Sequence, residues 1–370
     1  MSFVSCSRLL EALGTASACR CKTLESAFDL IAQTSYSSAH ESNCADEERI
    51  HVNADGHPVQ LVVRMDRLKG GYGFIFNPRI KACDGADRRR RTLSLVRSVS
   101  ILLGLPPPNL LEGTILPALR GRFSSTLEEK QSAVWIANAA CGRSCQLKLY
   151  ISLEGFSTLE RWRRFGNLLV ALGWHSALKA YCEMSAKVTP RSIPTAVGID
   201  FDGENRPSRL KLYVANEVCD ASWLYCWYTS SGNKHAYDSI AVFQNLCGFS
   251  GFKSYHEYSF FVAASFRKNS DRITLKTDIP ICRWLANSYH AGSLLNKIAS
   301  TFDFSKFKYP MTLAALNRGS SDETVTAITD EIIAPKEDKS VRARAILQLI
   351  GLGEEPLGNL HANIYLRPPE

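Results

Sequence analysis

The sequence predicts an α+β fold: an antiparallel ten-stranded β-barrel built from repeated αββα units, with the helices outside. Three observations predict it. The tetrapeptide "LKLY" stands at 147–150 and again at 210–213, and Lys276 in "RITLKTDIP" continues the spacing. Repetition at a near-constant period marks one supersecondary unit used several times. Helical and paired-strand patterns alternate along the chain, and five hairpins joined by helical connections are enough to close a sheet on itself.

The elements follow in order. Residues 5–35 carry Leu9, Leu10, Leu13, Phe28, Leu30 and Ile31 at amphipathic helical spacing. Asp55-Gly56 is a turn signal before the strand "HPVQLVVRM", and "KGGYGFIFNPRI" reads as its returning partner. A helix opened by Arg88–Arg91 comes next and stops at the prolines 106–108. A helix is expected near 125–140, then the strand "QLKLYISL". A second amphipathic helix over 157–173 is capped by Ser157 and closed by Gly173. "TAVGIDFDG" and "SRLKLYVA" form a hairpin across "DGENRP". "YHEYSFFVAASF" and "RITLKTDIPI" form another across "RKNSD", followed by a helical 285–301. A helix near 341–352 and the terminal strand "GNLHANIYLRPP" complete the series. Residues 1–370 thus read as one barrel domain, with 1–50 as its helical N-terminal part.

With 370 residues and 45% hydrophobic content the chain can bury a large core. A formal charge of +8 suits an anionic ligand but leaves several classes open. Twelve cysteines are too dilute for a disulfide scaffold, and neither "CRC" nor "CGRSC" has zinc spacing. They read as reduced thiols of a cytoplasmic protein. Arg8 and Glu11 interrupt the first apolar stretch, and no uncharged run approaches roughly 18 residues, so no membrane association is expected. Arg88–Arg91 follow Asp84 and Asp87 at a helix start and read as a solvated face rather than a nucleic-acid site. "WLYCWY" (223–228) reads as packing.

In a strand successive side chains alternate faces, so Leu147 and Leu149 share one side while Lys148 and Tyr150 share the other. The same holds for Leu210 and Leu212 against Arg209, Lys211 and Tyr213. Helices covering the leucines would turn the Lys/Tyr face into the barrel; in an ordinary sandwich that face would meet water. Cations from several strands meeting in one lumen repel each other and lose hydration, so they call for a multivalent anion such as a diphosphate.

At these residues the sequence resembles the ABBA-type aromatic prenyltransferases, in the dimethylallyltryptophan synthase branch. That family's K-x-Y and R-x-K-x-Y strands stand here as Lys148-Leu-Tyr150 and Arg209-Leu-Lys211-Leu-Tyr213. "DGHPVQL" resembles its G-x-P-x-E-x segment, "FIFNP" its F-x-F-E-P, and "GNLHANIYLR" its last strand at Leu360, His361 and Arg367. The resemblance runs from about residue 53 to the C-terminus. It implies transfer of an allylic group from a prenyl diphosphate (dimethylallyl or geranyl) to an aromatic or indole-type small molecule. No metal would be required, with Mg²⁺ at most stimulatory, in a monomer or homodimer. The diphosphate would fall to Lys148, Arg209, Lys211, Lys276, Arg64, Tyr150 and Tyr213, and the prenyl and acceptor pocket to Asn363 and Tyr365.

The chain departs from the pattern at four positions. Gln60 stands where the family has its proton-accepting glutamate, and Asp278 is then a candidate base in its stead. Gly73 replaces an arginine, for which Arg64 on the partner strand can substitute. Asp278 also replaces a tyrosine, and Asn363 another, with Tyr365 two residues on. Two further readings share the cradle: cyclisation of an isoprenoid diphosphate without an aromatic acceptor, and a non-catalytic barrel that binds an anionic metabolite.

Overall fold

In a computed structural model, residues 7, 10–11, 13, 21–36, 59–66, 71–78, 85–120, 134–141, 144–188, 192–215, 221–232, 261–279, 347–354 and 360–366 are described. Ten strands close into one antiparallel barrel in the order β1-β10-β9-β8-β7-β6-β5-β4-β3-β2. They pair as five sequential hairpins: β1 (Val59–Asp66) with β2 (Gly71–Phe76), β3 (Val134–Cys141) with β4 (Ser144–Ser152), and β5 (Ile193–Phe201) with β6 (Pro207–Ala215). β7 (Phe261–Phe266) with β8 (Thr274–Ile279) and β9 (Leu347–Glu354) with β10 (Leu360–Leu366) complete the set. Outside lie α1 (Lys22–Tyr36), α2 (Gly85–Leu102), α3 (Leu116–Arg120), α4 (Thr158–Ala171), α5 (His175–Val188) and α6 (Ala221–Ser230), with a π-helical turn Leu111–Ile115 leading into α3.

The leucine face does lie under the helices. Leu147, Leu149, Leu210 and Leu212 are fully buried, in one core with Phe28 of α1, Trp162 and Phe165 of α4, and Tyr181 and Met184 of α5. Each such side chain contributes roughly 1.5–3 kcal/mol on leaving water, which is what turns the Lys/Tyr face inward. α4 starts where expected: Ser157 accepts a hydrogen bond from the Glu160 N–H at 3.3 Å, and Gly173 takes φ of +67° after its end. "WLYCWY" is packing as well, since Trp223 and Trp227 of α6 are buried and both indoles donate to Ser192 Oγ, at 2.9 and 3.3 Å. In the β5–β6 turn Asn205 adopts φ of +55° and donates to Ser100 Oγ and the Pro106 carbonyl, docking the hairpin on the end of α2.

Two expected helices are strands instead. The helix expected near 125–140 gives way to β3 from Val134 onward, and that expected near 341–352 gives way to β9 from Leu347. Pairing on both edges decides the outcome over local propensity. The helix expected over 285–301 and the strand residues 255–260 lie outside the described residues. Among the described residues no helix is long and apolar enough to cross a membrane. The described cysteines Cys21, Cys145, Cys182 and Cys226 are free thiols. Arg90 and Arg91 of α2 are exposed and pair with Asp87 at 3.4 and 2.9 Å, as a solvated face does.

Candidate functional site

Register carries one ring of side chains into the lumen. Lys148 lies opposite Ala137 and Asp200, Asp200 opposite Arg209, and Lys211 between Gly198 and Ser265. Lys276 lies between Ala263 and Gly353, Gly353 opposite His361, and Asn363 opposite Arg64. Arg64, Lys148, Tyr150, Arg209, Lys211, Tyr213, Lys276, Asn363 and Tyr365 all line the resulting cavity, of about 100 Å³. All of the side chains assigned to the diphosphate or the prenyl pocket from the sequence therefore meet in one place. Gln60 and Asp278 are buried beside it, in the wall.

Small residues make the room. A Cβ on Gly351 would fall 2.2 Å from Asp278 Oδ1, and one on Gly353 2.5 Å from the His361 ring. Gly198 lies under the Tyr150 and Tyr213 rings, whose centroids are 5.6 Å apart. On β2, a Cβ at Gly73 would lie 2.2 Å from the Asn138 carbonyl oxygen and 2.9 Å from Ala139 Cα. Backbone closes that position, so no arginine fits there, and Arg64 is the guanidinium that reaches the cavity from β1.

Within each strand the cation sits nearer the hairpin turn and the aromatic ring further from it: Lys148 before Tyr150, and Arg209 and Lys211 before Tyr213. Lys276 joins the two parts. Its Nζ donates to Tyr365 Oη at 2.5 Å, lies 4.9 and 5.6 Å from the Tyr365 and Tyr213 ring centroids, and pairs with Asp278 Oδ1 at 2.7 Å. Asp278 thus faces inward, not into solvent, at 5% exposure.

The lumen holds a second carboxylate that the strand pattern did not single out. Asp200 Oδ2 accepts from Arg209 Nε at 2.7 Å, contacts Arg209 Nη2, and lies 3.4 Å from Lys211 Nζ. The signal was available: Asp200 shares a face with Gly198, and the "DGENRP" turn places it opposite Arg209. Among the described side chains, five cations thus face two carboxylates, and the wall keeps an excess of positive charge.

Burial and like charge act on this set as physics requires. Desolvation lowers the proton affinity of Lys148 and Lys211, with Arg209 adding to it and Asp200 opposing. Burial alone would raise the Asp200 carboxyl, but Lys211, Arg209 and Lys148 hold it well below the usual carboxylate range. Burial raises the Tyr150, Tyr213 and Tyr365 phenols, which stay neutral donors. His361, desolvated and beside Arg64 and Lys276, is pushed down to about 2 and is a neutral imidazole.

No protein-family model and no curated protein sequence matches the chain. Solved structures do match, over nearly its full length. The 5-dimethylallyltryptophan synthase from Streptomyces coelicolor superposes with a TM-score of 0.70 at 15% identity, covering 98% of this chain and 96% of that one. The 6-dimethylallyltryptophan synthase from Micromonospora olivasterospora, solved with DMASPP and tryptophan, gives 0.71 at 13%, covering 98% and 96%. AnaPT from Neosartorya fischeri gives 0.67 at 13%, covering 97% and 91%. The chain has the fold of the ABBA-type aromatic prenyltransferases. At these identities the likeness settles the barrel and its topology; what the lumen does is argued from its own side chains.

Proposed function

We propose that the protein is a cytoplasmic aromatic prenyltransferase that moves an allylic group from a prenyl diphosphate, dimethylallyl or geranyl, to an aromatic or indole-type small molecule. The observation that carries this reading is the closed lumen in which Arg64, Lys148, Arg209, Lys211 and Lys276 converge beside Tyr150, Tyr213 and Tyr365. Buried cations demand an anion, and a diphosphate supplies charge and acceptors together.

In this reading the five cations hold the diphosphate and stabilise the charge that develops on it as the allylic C–O bond breaks. The departing pair of electrons stays with the diphosphate. The tyrosine rings flank the allyl cation, and their neutral hydroxyls donate to phosphate oxygens. An electron-rich arene carbon forms the new bond and must then lose a proton. Gln60 has no basic atom and serves to hold the acceptor by hydrogen bonds. Asp278 takes the proton once Lys276 turns from it to the diphosphate. Asn363 and Tyr365 shape the prenyl end. Because side chains neutralise the leaving group, the reaction needs no metal, and Mg²⁺ at most stimulates it.

The test is diphosphate release from dimethylallyl, geranyl and farnesyl diphosphates in EDTA, with tryptophan, tyrosine, indole and phenolic acceptors. Acceptor-dependent release, lost at least about 100-fold in Lys211→Ala, is expected. Release without any acceptor would point to cyclisation or hydrolysis. Thermal stabilisation by the diphosphates without release from any acceptor in the panel would point to a binding-only barrel.

A further inference from the structure

We propose that Asp200 is the resident counter-ion of the cradle: its carboxylate stands in for the diphosphate while the barrel is empty, holds Arg209 and Lys211 in their binding arrangement, and releases them when the donor enters. The inference rests on the diphosphate reading above and concerns how the site exists without its ligand.

The geometry points to it in three ways. One oxygen, Oδ2, gathers both cations of β6, at 2.7 Å from Arg209 Nε and 3.4 Å from Lys211 Nζ. Lys148 lies directly across the strand pair from Asp200, so the carboxylate sits between the cations of two LKLY strands. A register irregularity between Asp200 and Phe201 lies at this point of the β5–β6 pair, the kind of local kink that re-aims a side chain. Asp200 is 5% exposed, and all of its described cationic partners line the cavity.

The physical need is plain. Arg209, Lys148 and Lys211 are drawn together out of bulk water, and without a negative charge among them their mutual repulsion opposes folding. A resident carboxylate meets that need at single charge. An entering diphosphate, with more charge and more acceptor oxygens, then takes Arg209 and Lys211 without leaving them unpaired at any stage. Lys148, directly across from Asp200, remains beside the displaced carboxylate to balance its buried charge. Asp200 is a positioning residue in this account; it does not touch the reacting carbon.

The distinguishing readout is rescue by ligand. Asp200→Asn keeps the shape and removes the charge, and its melting temperature is compared with wild type with and without inorganic pyrophosphate. The empty variant is expected to melt on the order of 5–10 °C lower. Saturating pyrophosphate is expected to recover most of that loss, so that its stabilising shift exceeds that of wild type by roughly the same number of degrees. A variant too unstable to purify alone is refolded with and without pyrophosphate, and recovery only with it carries the same meaning. An equal pyrophosphate shift in both proteins, or no recovery on refolding, overturns the proposal and marks Asp200 as an ordinary structural hydrogen-bond partner. If pyrophosphate fails to stabilise wild type, it is the diphosphate reading that fails.

Discussion

Lys276 sits where the cationic and aromatic parts of the lumen meet, bonded to Tyr365 and paired with Asp278. Its neighbour His361 shows what that density of charge does to a single residue. Burial and the cations around it hold the imidazole neutral, at about 2 against an ordinary 6.5. The folded-state value is depressed, so between about pH 6.5 and 2 the unfolded chain binds a proton that the folded chain refuses. Stability from this residue is therefore complete above about pH 6.5 and declines as pH falls, with a limiting slope of about 1.4 kcal/mol per pH unit. Urea unfolding of wild type and His361→Gln at pH 7, 6 and 5 checks this. The wild-type advantage should shrink steadily below pH 6, and parallel curves would contradict the environment described for His361. At this scale Lys148, Tyr150, Arg209, Lys211 and Tyr213 were legible in the sequence, because a two-residue alternation repeated in two strands leaves few ways to point them. Asp200 was missed: its alternation with Gly198 and the "DGENRP" turn put it opposite Arg209, but a single acid in "VGIDFDG" has no repeat to draw attention to it.

At the scale of elements, the errors have one cause. β3 and β9 were expected as helices because Ala137, Ala139, Gly351 and Gly353 erase the large-and-polar alternation that announces a strand. Those residues are small because they face the lumen, where space for a ligand has to come from missing side chains. The strands that carry the cations were readable, and those that provide the room were not. Gly73 tests how tightly the room is held. Gly73→Ala would drive a Cβ into the Asn138 carbonyl and Ala139 Cα on β3, backbone that cannot move without separating the β2–β3 pair. A loss of about 1–3 kcal/mol or more in unfolding free energy is expected. Gly113→Ala, in the helical turn Leu111–Ile115 and meeting nothing within 4 Å, serves as the control and should leave stability unchanged or raise it by up to about 1 kcal/mol. Equal effects at the two sites would mean that β3 does not approach β2 as described.

At the scale of the whole molecule, closure explains why the lumen can hold charge at all. Ten strands with no free edge place all five described hairpins in one ring, and helices such as α4 and α5 cover the outer leucine face. The polar interior is then the only surface left for the Lys/Tyr face. That inversion, apolar outside and charged within, was visible in the repeated LKLY. Barrel closure was expected from the repeated helix–hairpin blocks and matches the strand order found, although two of the five hairpins showed only one strand each in the sequence. The central claim is that the lumen is a cradle for a prenyl diphosphate. A crystal structure of the protein soaked with dimethylallyl thiolodiphosphate tests it most directly. Diphosphate oxygens within about 3 Å of Lys148, Arg209, Lys211 and Lys276, with the allyl group among Tyr150, Tyr213 and Tyr365, is the result the account predicts. A saturated crystal in which the diphosphate lies outside the barrel, or the lumen stays empty, would contradict it.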